Sequence, residues 1–311
     1  MPNRQAAGKS GYFRSALCGL GLALFFGLAS CSFSPVDAEP PPATVSPQPG
    51  GSASMVSPTQ TPSPSATPVT PTPSPTPACM DGLGQVEEIS LDTSRMYEPF
   101  EFRVYLPACY EQDADQHYPV LYLFHGMYFG DDQWTRIGAV EVANRLIVTG
   151  EMPPFIIVMP YDSNAREPGK TSFDEVFMEE LLPYIDANYR TIPEPAYRSV
   201  GGLSRGAGWA IHFGLTNPAL FGAIGAHSPI IFWEDSLEIG KWLNAIPRSG
   251  MPRIYMDIGD RDPNSDSAGL LENLLKDRNI PHEYHINPGY HTEQYWESQV
   301  ETYMRWYAAG W

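Results

Sequence analysis

From Val120 to Tyr307, short apolar runs alternate with segments of helical spacing, and this alternation constrains the fold more than any other feature. Val120–Phe124, Phe155–Met159, Tyr197–Gly201, Ala223–His227, Arg253–Ile258 and Glu283–Ile286 read as strands. Helices are expected over Val140–Val148, Phe173–Tyr189, Gly206–Asn217, Leu237–Ala245, Ala268–Arg278 and Thr292–Tyr307. Runs such as Phe155–Met159 carry almost no polar residue, as strands do when both faces are covered. Strand–helix order of this kind implies the α/β class, a mainly parallel sheet with helices on both faces. Upstream, Val86–Leu91 and Glu101–Leu106 flank a polar turn around Ser94–Pro99 and should extend one edge as an antiparallel hairpin.

Before the hairpin the composition changes, and about half of the 32 prolines fall in the first quarter of the chain. Arg4, Lys9 and Arg14 lead into an apolar run from Ala16 to Ala29. That run is short for a spanning helix, which takes about 20 apolar residues, but suits the core of an export signal. It ends in Leu28-Ala29-Ser30-Cys31, which resembles a bacterial lipobox. Residues 1–30 are therefore expected to be a lipoprotein signal peptide, with Cys31 lipidated and anchored on the outer side of a bacterial membrane. Residues 31–78 are mainly Pro, Ser and Thr, as in Thr70-Pro71-Thr72-Pro73-Ser74-Pro75. Such a segment cannot bury enough surface to offset its ordering entropy. Its prolines favour an extended chain of about 3.1 Å per residue, hence a semi-rigid stalk on the order of 100 Å long. Residues 79–311 remain as one folded domain, long enough for a substantial core. Antiparallel pairing of the first two strands brings Cys79 near Cys109, and outside the cytoplasm a disulfide is expected between them. A net charge of −17 argues against a nucleic-acid partner, which calls for clustered Lys and Arg.

Gly202-Leu203-Ser204-Arg205-Gly206 fits G-x-S-x-G, the strand-to-helix turn that presents a nucleophilic serine. Chance alone gives on the order of 0.1 such matches in a chain of this length, so context decides. A strand runs into the motif and a helix runs out. Gly201, Gly202, Gly206, Ala207 and Gly208 leave the turn almost bare of side chains, and the helix N-terminus offers N–H groups to a developing oxyanion.

A serine hydroxyl is a weak nucleophile and needs a base within hydrogen-bond reach. Of the seven histidines, His291 follows the turn Asn287-Pro288-Gly289-Tyr290, just before the closing helix, and is the expected base. His212 lies inside a helix, His117 in a loop, and His227 at a strand end that could border the pocket. His282 and His285 lack the H-E-x-x-H metal spacing. The imidazole must be oriented by a carboxylate lying between Ser and His in chain order. Asp260 and Asp262 both qualify by position, whereas Asp257 falls within a strand. The apolar strand ending in His125-Gly126 supplies the second oxyanion donor, so the backbone N–H groups of Met127 and Arg205 are the expected pair. His125 and Gly126 are expected to shape that loop. Trp134, Trp233 and Trp296 are aromatic candidates for the pocket wall.

From about Val86 to Tyr307 the chain resembles the esterase family that includes feruloyl esterases, esterase D and the mycolyltransferase antigens, of the α/β-hydrolase fold. The resemblance is carried by the His125-Gly126 loop, the stretch from Glu179 to Ile185 leading to Asn188-Tyr189-Arg190, the Ser204 motif, Gly259-x-x-Asp262, and Pro288-Gly289-Tyr290-His291. It implies Asp262, the last position of its motif, as the acid. It also implies ester hydrolysis through an acyl-enzyme on Ser204, with no metal or organic cofactor. Many members carry Met where this chain has Arg205; the oxyanion contact uses the backbone, so altered pocket charge is expected rather than lost activity. A stalked member outside the cytoplasm suggests feruloyl or acetyl esters of polysaccharide as substrate, by analogy alone. Two other readings use the same features: acyl transfer to a sugar or lipid hydroxyl, and ligand binding without catalysis.

Overall fold

The computed structural model describes residues 82–164 and 166–311. The expected signal peptide, Cys31, the Pro/Ser/Thr-rich stretch and Cys79, with its pairing to Cys109, lie outside the described residues.

In chain order the elements are β1 (Gln85–Leu91), β2 (Phe100–Leu106), β3 (Val120–Phe124), α1 (Gln133–Arg136), α2 (Ala139–Val148), β4 (Ile156–Pro160), α3 (Phe173–Val176) and α4 (Leu182–Asn188). There follow β5 (Arg198–Leu203), α5 (Arg205–Thr216), β6 (Ala223–His227), α6 (Trp233–Ala245), β7 (Arg253–Gly259), α7 (Ser265–Asp277), β8 (Glu283–Asn287) and α8 (Glu293–Ala308). The strands form one sheet in the order β1-β2-β4-β3-β5-β6-β7-β8. Pairings from β4 through β8 are parallel, and β2 runs antiparallel to both β1 and β4. The hairpin thus extends one edge, as its sequence implied.

Period-two alternation sorts the strand residues between two cores. Val120, Tyr122 and Phe124 of β3 face a cluster covered by α3 to α7, with Phe177, Trp209, Phe213, Ile239 and Leu275. Leu121 and Leu123 face the opposite cluster, closed by α2 and α8 with Leu146, Tyr303 and Tyr307. The rings of Phe177 and Phe213 lie 4.4 Å apart, and Phe177 meets Phe124 edge-on at 5.0 Å. Truncating a ring buried in this way costs about 3–5 kcal/mol.

Four helices differ from the sequence reading: α1 has no counterpart in it, α7 begins at Ser265 rather than Ala268, and two others differ as follows. The helix expected over Phe173–Tyr189 is continuous but carries a π turn, Phe177–Leu181, between α3 and α4. Apolar spacing does not reveal it, because Phe173, Phe177, Leu181 and Ile185 face the core throughout. α6 begins at Trp233 rather than Leu237. Its first turn holds Glu234 and Asp235, which suit the positive end of the helix dipole but are invisible to a count of apolar residues.

Candidate active site

β5 delivers Ser204 to the start of α5 with φ 56° and ψ −116°. A non-glycine residue at such angles is strained by about 1–3 kcal/mol and must be held there. Four hydrogen bonds hold it. Ser204 N–H donates to His227 O at 2.9 Å, and Ser204 O accepts from Ala207, Gly208 and Ile230 N–H at 3.1, 3.3 and 3.1 Å. A β-carbon on Gly202 would lie 2.2 Å from the Gly206 carbonyl, and one on Gly206 2.2 Å from Phe124 O and 2.6 Å from His125 O. These two glycines permit the close approach of β5, α5 and the end of β3. Gly201 has another reason: its β-carbon would sit 1.8 Å from the Tyr307 hydroxyl.

His291 Nε2 lies 2.8 Å from Ser204 Oγ, and its Nδ1 lies 2.7 Å from Asp262 Oδ2. Loops following β5, β7 and β8, far apart in the chain, bring the three together. Of the two aspartates open by position, Asp262 meets the imidazole. Asp260 instead accepts from Gly289 N–H at 2.9 Å and so ties the two loops to each other. Asp262 Oδ1 accepts from Asn264 N–H at 2.8 Å and from Asn264 Nδ2 at 3.1 Å. Burial pushes the Asp262 carboxyl up, but its bonds to His291 and Asn264 outweigh this and hold it below the usual carboxylate range. An ionised Asp262 accepts the Nδ1 proton, and this assignment of the tautomer leaves the Nε2 lone pair facing Ser204.

The loop after β3 carries Met127. Gly126 N–H donates to the buried Gln133 Oε1 at 2.7 Å, and Tyr128 takes φ 67°. His125 Nδ1 donates to Gly126 O at 2.7 Å while its Nε2 accepts Asp162 N–H at 2.9 Å. Burial lowers the His125 pKa and favours the neutral ring that this pairing requires. Among the described residues, neither Met127 N–H nor Arg205 N–H donates to another group of the chain.

Arg205 lines the cleft described below, and Asp162, which lines it too, balances its charge there. Its guanidinium is buried against Asp162, with Nε and Nη2 at 3.1 and 3.0 Å from Oδ2, and it also donates to the carbonyls of Asn164 and Arg166. Trp209 Nε1 completes Asp162 at 2.9 Å. The side chain therefore cancels its charge locally and pins the segment after β4 to the start of α5. Arg205→Met would leave a buried carboxylate short of its counter-ion, and we expect a loss of about 3–5 kcal/mol. Urea denaturation checks this, as a lower midpoint at unchanged m-value.

A cleft of about 320 Å³ opens here, lined in part by Met127, Tyr128, Phe129, Tyr161, Ser163 and Asn164. The expected tryptophans do not line it. Trp134 has no exposed surface, and its Nε1 donates to Phe124 O at 3.0 Å. Trp296 is also buried, edge-on to the His291 ring at 5.0 Å. Trp233 is 71% exposed at the start of α6, outside the cleft lining. His227 does not border the cleft either, being fully buried. Tyr128 and Phe129, which do line it, were missed, and their place immediately after Met127 is the signal that could have found them.

A family model described as "Putative esterase" matches residues 93–307. The chain belongs to this family. An endo-1,4-beta-xylanase/feruloyl esterase of Xylanibacter ruminicola is 31% identical over 190 residues, 58% of this chain and 25% of that protein. An esterase of Mycobacterium tuberculosis is 33% identical over 150 residues, 45% of this chain and 32% of that one. The chain thus spans 25–32% of the length of these curated relatives. Among solved structures, a ferulic acid esterase aligns with a TM-score of 0.67 at 25% identity, covering 74% of this chain and 100% of that one. The ferulic acid esterase of Anaeromyces mucronatus in complex with ferulic acid aligns at 0.59 and 18% identity over 72% of this chain and 90% of that one, a likeness of fold. The fold of this esterase-family chain is the α/β-hydrolase fold.

Proposed function

We propose that this chain hydrolyses carboxylic esters through an acyl-enzyme on Ser204. The observation that carries the reading is the unbroken line Asp262–His291–Ser204, at 2.7 and 2.8 Å, in a chain whose Met127 and Arg205 N–H groups have no partner among the described residues. As Ser204 Oγ bonds to the carbonyl carbon, His291 Nε2 takes its proton and the carbonyl electron pair moves onto oxygen. Met127 and Arg205 N–H groups receive that oxyanion. Collapse expels the alcohol, which takes the proton from His291. Water then repeats the sequence on the acyl-enzyme, releasing the acid and restoring Ser204. Family membership and the feruloyl esterase relative support ester hydrolysis. The rings of Tyr128, Phe129 and Tyr161 at the cleft suit an aromatic acyl group such as feruloyl. Stoichiometric labelling by a fluorophosphonate probe, together with a hydrolysis panel of feruloyl, acetyl and longer-chain esters, tests the reading. A folded protein that neither labels nor hydrolyses any ester overturns it.

The lipobox-like Leu28–Cys31 segment and the proline-rich residues 31–78 support a lipid-anchored enzyme held off the outer side of a membrane, acting on feruloyl or acetyl esters of polysaccharide. Cys79 and Cys109 would pair in that oxidising setting.

Gly206→Ala tests the oxyanion assignment. The new β-carbon would press on the Phe124 and His125 carbonyls and push the Met127 loop away from Ser204. Removing one oxyanion donor costs about 10²–10³ in kcat, and we expect a loss of that size. Steady-state kinetics below the melting temperature checks it, and wild-type kcat would remove Met127 from the mechanism.

A further inference from the structure

Directly under the Ser204 line lies a second carboxylate–imidazole pair with no exposed surface. Asp257 Oδ1 accepts from His227 Nδ1 at 2.8 Å, and its Oδ2 accepts from the hydroxyls of Tyr295 and Tyr303 at 2.6 and 2.7 Å. His227 Nε2 in turn accepts from the Tyr307 hydroxyl at 3.0 Å. The Tyr303 ring stacks on the His227 ring at 3.6 Å. Burial, with the nearby Asp257 charge, raises the Tyr303 and Tyr307 hydroxyls far above their ordinary values, so both stay protonated donors. The Tyr307 hydroxyl fills space that a side chain on β5 or β6 would occupy: β-carbons on Gly201 or Gly225 would each lie 1.8 Å from it.

All three tyrosines stand on α8, while Asp257 lies within β7 and His227 ends β6. Apolar packing alone could join a helix to a sheet, and burying a carboxylate for that purpose is unfavourable unless it is fully paired. What directed hydrogen bonds add is a fixed register along the helix.

That register matters because every member of the Ser204 line connects to the network, Ser204 directly, Asp262 through Ser228, and His291 through Trp296 and Ser228. Ser204 N–H donates to the His227 carbonyl at 2.9 Å. Ser228, next in the chain, donates its N–H to Asp257 O at 2.8 Å, and its hydroxyl reaches the Asp262 carboxylate. The same hydroxyl accepts Trp296 Nε1 at 3.0 Å, and the Trp296 ring meets the His291 ring edge-on. His291 itself immediately precedes Thr292, whose side chain caps α8.

We propose that Asp257, His227, Tyr295, Tyr303 and Tyr307 are positioning residues that fix α8 on the sheet and thereby set the distance between His291 Nε2 and Ser204 Oγ. The inference rests on the acyl-enzyme reading of Ser204 and His291. A helix advances 1.5 Å per residue, so a slip of less than one position breaks that bond, and a misplacement near 1 Å can cost about 10²-fold in rate.

Tyr303→Phe and Tyr307→Phe remove one hydroxyl each, and Asp257→Asn removes the charge. In the full chain, well below each variant's melting temperature, we expect kcat on a soluble ester to fall about 10- to 10²-fold at unchanged KM. The rate of fluorophosphonate labelling should fall in parallel. Ile185→Ala, in the core on the other side of the sheet, serves as a destabilised control that keeps wild-type kcat. Wild-type kcat and labelling in both Phe variants overturn the proposal, as does a loss confined to KM or an equal loss in Ile185→Ala. Should Asp257→Asn fail to fold, the two Phe variants decide. A wild type that neither labels nor hydrolyses esters instead defeats the reading of Ser204 itself, which separates the two failures.

Discussion

Ser204→Ala should lower kcat on a soluble ester by about 10⁶-fold while leaving KM and the fold nearly intact. The substitution removes only the Oγ that sits 2.8 Å from His291 Nε2. Backbone angles at φ 56° strain Ala much as they strain Ser, and the hydrogen bonds of residue 204 that hold the turn come from its N–H and carbonyl. The melting temperature should therefore stay close to wild type. Residual activity would come from substrate binding and the oxyanion donors, which alone give about 10³–10⁴ over water in enzymes of this chemistry. Loss of the nucleophile also abolishes fluorophosphonate labelling. A variant retaining a hundredth of wild-type kcat would place the nucleophile elsewhere, for no second hydroxyl has a base so disposed toward it among the described hydrogen bonds of His291.

Much of this architecture is legible in the chain because strands buried on both faces leave uninterrupted apolar runs. Val120–Phe124 and Ala223–His227 are bounded in the structure as the sequence suggested. Ser204 and His291 stand out for a local reason, each following a strand end rich in glycine or turn residues, whereas position leaves Asp260 and Asp262 open and only the family resemblance singles out Asp262. What the sequence hides is partnership over distance. Trp134 resembles a pocket aromatic until its Nε1 is found on the carbonyl of Phe124, within the core. Arg205 looks like a charge in the cleft until Asp162, 43 positions away, cancels it. Asp257 and His227 look idle in their strands, since the partners that use them lie 30 to 80 residues off. The α8 tyrosines fit the apolar stripe of any amphipathic helix, and nothing in their spacing tells that two of their hydroxyls converge on Asp257 while the third meets His227.

Asp262→Asn should lower kcat by about 10⁴-fold, and the neighbours of Asp262 explain why an isosteric change is so costly. Oδ1 receives two donors, the N–H and the Nδ2 of Asn264. In the variant those donors select the amide oxygen for that position, which turns the amide nitrogen toward His291 Nδ1. Asn264 Nδ2, 3.2 Å from the same ring nitrogen, adds a second donor there. Nδ1 must then accept, the ring proton moves to Nε2, and no lone pair faces Ser204. Stability carries a separate signature. The Asp262 carboxyl is held below its ordinary value, so it stabilises the folded chain above the unfolded carboxylate range, about 3.9, and this contribution fades as pH falls through the folded value. The variant should accordingly be less stable than wild type at neutral pH, with the gap closing below about pH 4. Denaturant unfolding at pH 7 and at pH 3 reads that gap, and kinetics at pH 7 reads the tautomer. A gap unchanged by acid would mean that the carboxylate gains nothing from His291 and Asn264, and a variant with a tenth of wild-type kcat would mean that the imidazole keeps its working tautomer without it.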